Sequence, residues 1–252
     1  MLARSWGLFR SLLIYHAIPF RQRRLRRLLA PLVPPGSLAF DIGAHVGNRV
    51  RALRALGVRV ITVEPQPVYA GLLRRFFAHD REVTVIEVAV GEQPGETRLF
   101  VSDRHPTVST VSPTWRDRMG RHRSFRNVAW NREIAVRVET LDTLIERFGQ
   151  PGFVKLDIEG AEAAALRGLS SPVAVLSFEV VPGAEDEAVS CIDRLELLAA
   201  YRYNWSPGES MRLALPEWLD AAAMREFITT HGRQGDIYCR LTTAPADPGA
   251  RR

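Results

Sequence analysis

The chain has 252 residues, 46% of them hydrophobic and 25% charged, which suits an ordinary globular core and excludes wholesale disorder. Its two cysteines, Cys191 and Cys239, are too few for a disulfide framework or a zinc cluster. The formal charge of +6 is weak evidence for a nucleic-acid partner: seven of the 34 basic residues fall within residues 1–36, which hold no acid, leaving 27 to face 28 acidic ones.

Residues 1–36 read as a basic amphipathic segment followed by a linker. The first 20 residues are apolar and aromatic (Trp6, Phe9, Leu12, Ile14, Tyr15, Phe20), but Arg4, Arg10, His16 and Pro19 keep the stretch short of the roughly 18 apolar residues that cross a bilayer. No small-x-small cleavage site follows it, and the basic run Arg21 to Arg27 opposes export, so a cytoplasmic location is expected. Two readings stay open for residues 1–30: a helix resting peripherally on anionic lipid at the inner face of a membrane, or a helix packed on the core with a solvated basic end. Pro31, Pro34, Pro35 and Gly36 then lead into the domain proper.

Residues 37–242 read as one α/β domain, with 243–252 as a flexible tail. Leu38 to Ile42, Arg59 to Val63 and Val83 to Val90 are predicted strands, separated by helices over Asn48 to Leu56 and Val68 to His79. That alternation predicts a parallel sheet with right-handed crossovers. Strands are expected at Thr97 to Val101 and Ile134 to Glu139, flanking an insertion at 102–133 that carries Trp115, Phe125 and Trp130 among seven arginines. The pattern resumes with helix Leu141 to Phe148, strand Phe153 to Ile158, helix Ala161 to Arg167, strand Val173 to Val180 and helix Glu185 to Tyr201. Arg202 to Trp205, Met211 to Leu215 and Asp236 to Leu241 suit late or edge strands, with a helix from Glu217 to Thr230.

The segment Phe40-Asp41-Ile42-Gly43-Ala44-His45-Val46-Gly47-Asn48 puts glycines where the first strand turns into the first helix, so the backbone can approach a nucleotide closely. Glu64 ends the second strand, where an acid accepts hydrogen bonds from ribose hydroxyls. Asp41 argues against a dinucleotide, whose pyrophosphate is anionic, and for S-adenosylmethionine (SAM), which presents an ammonium and a sulfonium. Glycine spacing agrees, being Gly-x-x-x-Gly rather than Gly-x-Gly-x-x-Gly. Ala89 and Val90 offer a small apolar wall for adenine.

A second concentration of chemistry is Phe153-Val154-Lys155-Leu156-Asp157-Ile158-Glu159-Gly160-Ala161-Glu162. Lys155 and Asp157 share one strand face, and Asp157, Glu159 and Glu162 gather at the carboxyl edge of the sheet, where open α/β folds bind ligands. Lys155 is the only lysine in the chain. Here, at Val63-Glu64-Pro65 and at Val138-Glu139-Thr140-Leu141-Asp142, the sequence resembles the FkbM-type branch of the class I SAM-dependent methyltransferases. The resemblance implies a Rossmann-like α/β fold with a mostly parallel seven-stranded sheet and helices on both faces. It also implies SAM as methyl donor and a hydroxyl acceptor on a sugar, glycan or secondary metabolite, methylated by in-line transfer. Carried over by position, Asp41, Gly43, Gly47 and Glu64 bind SAM, while Asp157 and Glu159 line the reacting centre; His45 and Asn48 depart from the family pattern at the methionine end.

Asp157 is the first choice of general base, Glu159 the second, and His45 or His105 the third, with Lys155 beside them. Glu162 is read as an acid favoured by the start of a helix. The insertion is either an acceptor lid, with Trp115 and Trp130 stacking on the substrate, or a solvated loop with its aromatics tucked into the core. No metal is expected, because no His, Cys and carboxylate cluster has ligand spacing. Two rival functions are a nucleic-acid methyltransferase, disfavoured because Asp157-Ile158-Glu159-Gly160 stands where an Asp/Asn-Pro-Pro-aromatic motif would be, and a non-catalytic scaffold on the same fold. No nucleic-acid partner is therefore expected.

Overall fold

A computed structural model describes residues 19–242. The expectations for the apolar stretch before Pro19 and for the tail at 243–252 lie outside the described residues. The N-terminal helix α1 (Pro19–Leu29) precedes strand β1 (Leu38–Ile42), helix α2 (Asn48–Arg54), strand β2 (Arg59–Val63), helix α3 (Pro67–Phe76) and strand β3 (Val83–Ile86). Short β4 (Ala89–Val90), β5 (Gly95–Val101) and β6 (Arg132–Glu139) follow, with helix α4 (Pro113–Arg121) between the last two. The chain continues through α5 (Leu141–Phe148), β7 (Phe153–Leu156), α6 (Glu162–Arg167), β8 (Val175–Val180), α7 (Glu185–Leu198), β9 (Tyr201–Pro207), α8 (Ala221–His231) and β10 (Gly235–Leu241).

Seven strands form one sheet in the order β3-β2-β1-β7-β8-β10-β9, in which β10 alone runs against its neighbours. The expected mostly parallel seven-stranded sheet is present, and the direction of strand order reverses between β1 and β7. At such a switch point the connections leave to opposite sides and open a crevice at the strands' carboxyl ends. Alternation along β1 explains the two cores: Phe40 and Ile42 face a cluster with Leu144, Leu166 and Ile192, while Ala39 faces one with Val50 and Leu53. Helices thus cover both faces. Asp41 lies on the same side as Ala39, and β-register sets it beside Lys155 and then Ser177.

Several boundaries differ from the sequence reading for identifiable reasons. The expected strand Val83 to Val90 is two strands in two sheets: β3 pairs with β2, whereas β4 joins a three-stranded sheet ordered β4-β6-β5. Met211 to Leu215 forms no strand; its Ala214 and Leu215 amides are taken singly, by the Trp205 carbonyl and the Asn204 side chain. Asp220 starts α8 later than expected by accepting the Ala223 amide as an N-cap. The helix read as far as Tyr201 ends at Leu198, and Tyr201 opens β9 instead.

α1 belongs to this core. Leu25, Leu28 and Leu29 are buried in the cluster that holds Val50 and Leu53 of α2, and Gln22 Nε2 donates to the Asn48 carbonyl at 3.0 Å. Among the described residues no helix is long and apolar enough to cross a membrane. Truncating the fully buried Leu29 to Ala should cost about 2–5 kcal/mol in a denaturant titration. An unchanged midpoint would mean that α1 does not pack as described.

Candidate active site and cofactor pocket

The crevice is built by backbone contacts that only small residues permit. Gly43 has φ +81, and a Cβ on it would stand 1.9 Å from the Asp157 carbonyl oxygen. Around that contact the Gly43 and Ala44 amides donate to the Val63 carbonyl at 2.9 and 3.2 Å, and the Asp157 amide donates to the Ile42 carbonyl at 3.1 Å. The ends of β1, β2 and β7 are thereby tied into one floor. Glu64, 3% exposed, accepts the His45 and Gln66 amides, each at 2.9 Å, and burial pushes its carboxyl up to about 7. His45 takes a left-handed φ of 49 and packs its ring 4.4 Å from that of Tyr69; burial pushes the imidazole down to about 4, so it is neutral at physiological pH.

Not every predicted cofactor residue reaches the cavity. Asp41, Gly43, His45, Asn48, Glu64, Ala89 and Val90 line it, but Gly47 does not. A Cβ on Gly47 would meet Leu73 Cδ2 at 2.8 Å, so that glycine lets α3 pack under the loop. The cavity holds about 270 Å³, near the lower end of the roughly 300–1,000 Å³ typical of ligand clefts.

The second motif delivers its acids from a tight turn. Lys155 Nζ stands 2.5 Å from Asp157 Oδ2. Burial opposes ionisation of Asp157, but the ammonium beside it holds the carboxyl below its ordinary value. Glu159 adopts φ 55, rare for a residue with a Cβ, and the turn is held from inside by Glu162, whose carboxylate accepts the Ile158 and Gly160 amides at 2.8 and 2.9 Å. Glu162 is therefore a clamp on the loop rather than a group facing substrate.

Sequence reasoning missed Glu179, Arg49 and Asp236. Glu179 is the penultimate residue of β8, and one oxygen from each of Asp157, Glu159 and Glu179 lies within 4.8 Å of the others. This trio could share a hard cation, although no metal-ligand spacing is visible in the sequence. Burial, with repulsion from Glu179 next, pushes the Glu159 carboxyl well above its ordinary value; burial and then Asp157 do the same to Glu179. Arg49 enters from α2, donating to Tyr238 Oη at 3.0 Å and Asp236 at 3.3 Å. The one available signal was a charge inside the apolar run Val175 to Val180.

The insertion, read as either an acceptor lid or a solvated loop with its aromatics tucked into the core, is bolted to the acidic turn. Thr110 Oγ1 donates to the Glu159 carbonyl at 2.6 Å, Ser112 caps α4 through the Trp115 amide, and Arg118 pairs with Asp186. Pro106, Thr107, Val108 and Ser109 wall the cavity. Trp115 is 4% exposed and lies flush on Gly160, where a Cβ would fall 2.0 Å from its Cδ1. Trp130 stacks with Phe125 and donates its indole N–H to the Val108 carbonyl at 2.8 Å. Neither tryptophan lines the cavity, and His105 stands outside it too. Their expected substrate role gives way to a small apolar core that fixes the roof.

Residues 41–204 match the family model described as the methyltransferase FkbM domain. The chain belongs to the FkbM methyltransferase family. No curated protein sequence matches it. Among solved structures, precorrin-6y C5,15-methyltransferase from Geobacter metallireducens is 14% identical, with 87% of each chain covered and a TM-score of 0.46. A TehB-like SAM-dependent methyltransferase from Corynebacterium glutamicum is 12% identical, covering 93% of this chain and 94% of that one at a TM-score of 0.46. Similarity at this level assigns nothing to individual residues. SAM is the cofactor of this FkbM methyltransferase, and the crevice fits it: a glycine cradle, a buried acid at the end of β2, an apolar wall at Ala89 and Val90, and Asp41 with its Oδ2 lacking a hydrogen-bond partner.

The roof contact gives a paired prediction. Gly160→Ala adds a Cβ against Trp115 at φ +83 and should cost about 2–4 kcal/mol, whereas Gly120→Ala, 3.8 Å from Trp130 inside α4, should be neutral or stabilising. Chemical denaturation reads both, and equal effects would contradict the packing.

Proposed function

We propose that this FkbM methyltransferase transfers the methyl group of SAM to a hydroxyl of a sugar, glycan or secondary metabolite. When bound, SAM supplies an electrophilic methyl on a sulfonium. The supporting observation is the meeting of Glu159 and Glu179 beside the Lys155–Asp157 pair, because a hydroxyl needs a proton acceptor before it becomes a competent nucleophile. A scaffold that had lost catalysis would gain nothing from holding three repelling carboxylates together.

Asp41 would take the cationic methionine end, with His45 and Asn48 beside it, and Glu64 the ribose. Val88, Ala89 and Val90 would take the adenine, where no side-chain charge must be desolvated. For the base, the charge environment favours Glu159 over Asp157. A carboxylate held low by an ammonium is a weak proton acceptor, while one raised by burial and a neighbouring acid holds a proton more readily. Asp157 then orients the acceptor, and Lys155 keeps it ionised.

Glu159→Gln should lower kcat by about 10²–10⁴-fold while leaving SAM affinity intact. Near-normal turnover would remove Glu159 from the role. The acceptor class is tested by SAM consumption over a panel of hydroxylated glycans and metabolites, with mass spectrometry of the product; methyl transfer only to amines or nucleic acid would contradict the proposal.

A pH dependence follows from Glu64. Ribose hydroxyls donate to the ionised carboxylate, so they stabilise the form that burial disfavours below about 7. SAM affinity measured by calorimetry should therefore rise as pH climbs through that value. In Glu64→Gln it should be weaker and show no such rise; an identical pH profile in the variant would exclude Glu64 as the ribose acid.

A further inference from the structure

The catalytic reading leaves the basic helix unexplained. On α1 the inward residues are Leu25, Leu28 and Leu29, while Phe20, Arg23, Arg24, Arg26 and Arg27 are exposed, Phe20 by 70%. Phe20, Arg23, Arg24 and Arg27 follow the spacing i, i+3, i+4, i+7 and so form one stripe. Like charges at i+3 and i+4 weaken a helix, and here Arg23 stands at those distances from Arg26 and Arg27. Among the described residues no carboxylate relieves this: of the arginines on the helix only Arg21 has an acidic partner, Glu209 at 2.5 Å.

We propose that the exposed face of α1 docks this protein on an anionic phospholipid surface. Four arginines on a convex helix match a flat layer of phosphate and carboxylate headgroups, and the phenyl ring of Phe20 can enter the interface among them. A nucleic-acid groove asks instead for an extended basic surface with hydrogen-bonding side chains at the bases, and the chain outside residues 1–36 has slightly more acids than bases. The helix is also a wall of the active site. Leu25 on its inner side lines the cavity, as does Glu209, the partner of Arg21. A helix is about 10–12 Å across, so docking sets the cavity roughly one helix diameter from the headgroups, within reach of an acceptor carried by the membrane.

The test is co-sedimentation of the full-length protein with vesicles of phosphatidylcholine alone or with about a third phosphatidylserine. The expected result is binding to the anionic vesicles only, weakened by added salt. Each arginine near such a surface strengthens binding about fivefold, so replacing Arg23, Arg24, Arg26 and Arg27 together by Gln should weaken it by roughly several hundredfold. SAM binding should remain at the wild-type level in that variant, which separates loss of docking from loss of fold. A control removes the same charge elsewhere, at the exposed Arg81, Arg121, Arg123 and Arg126, and should bind vesicles nearly as well as wild type. Absence of binding to anionic vesicles, an equal loss in the control, or binding to duplex nucleic acid without binding to vesicles would each overturn the proposal. None of these results bears on whether SAM is consumed.

Discussion

Two backbones meet at the centre of this protein, where Gly43 at the end of β1 lies against the Asp157 carbonyl so closely that a Cβ would stand 1.9 Å from it. The contact occurs at the reversal of strand order, between the two strands whose loops form the crevice. With Gly43 in place, the Asp157 amide reaches Ile42, the Glu64 carboxylate reaches the His45 amide, and Lys155 stands beside Asp41 in register. The floor of the crevice and the acidic turn are thus tied to each other through the backbone.

Electrostatics follow from that arrangement. Asp41, Asp157, Glu159 and Glu179 converge on a cleft whose buried cations are Lys155 and Arg49, with Asp236 behind it as the partner of Arg49. Burial raises most of these carboxyls, and only Asp157, with the lysine in contact, is held low. Such a cleft favours a ligand bearing positive charge over an anionic one. A compact ammonium suits the position of Lys155, since it fits between strands and meets Asp157 without the width of a guanidinium.

Local signals in the sequence carried the parts of the site that one segment supplies. The glycine turn after Asp41, Glu64 at the end of a β-rich run, and the acids around Asp157 are each written in a few consecutive residues whose spacing alone sets their direction. Arg49 and Asp236 were not legible, and Glu179 showed only as a charge in an apolar run, because the three arrive from separate elements that only the fold makes neighbours. The tryptophans left two readings open for a related reason. An aromatic residue in an insertion looks available for a substrate until its tertiary partners are known, and here Trp115 is taken by Gly160 and Trp130 by Val108. Likewise Glu87-Val88 reads as unbroken strand, although the chain leaves one sheet there for another.

The central claim is that the crevice between β1 and β7 holds the methyl donor with its reactive end toward Asp157, Glu159 and Glu179. A crystal structure of the complex with S-adenosylhomocysteine tests this most directly. The account predicts the ribose on Glu64, the adenine against Ala89 and Val90, and the thioether sulfur facing the acidic turn beneath the roof formed by Pro106 to Ser109. A ligand bound with its sulfur turned away from Glu159, or seated outside this crevice, would contradict it.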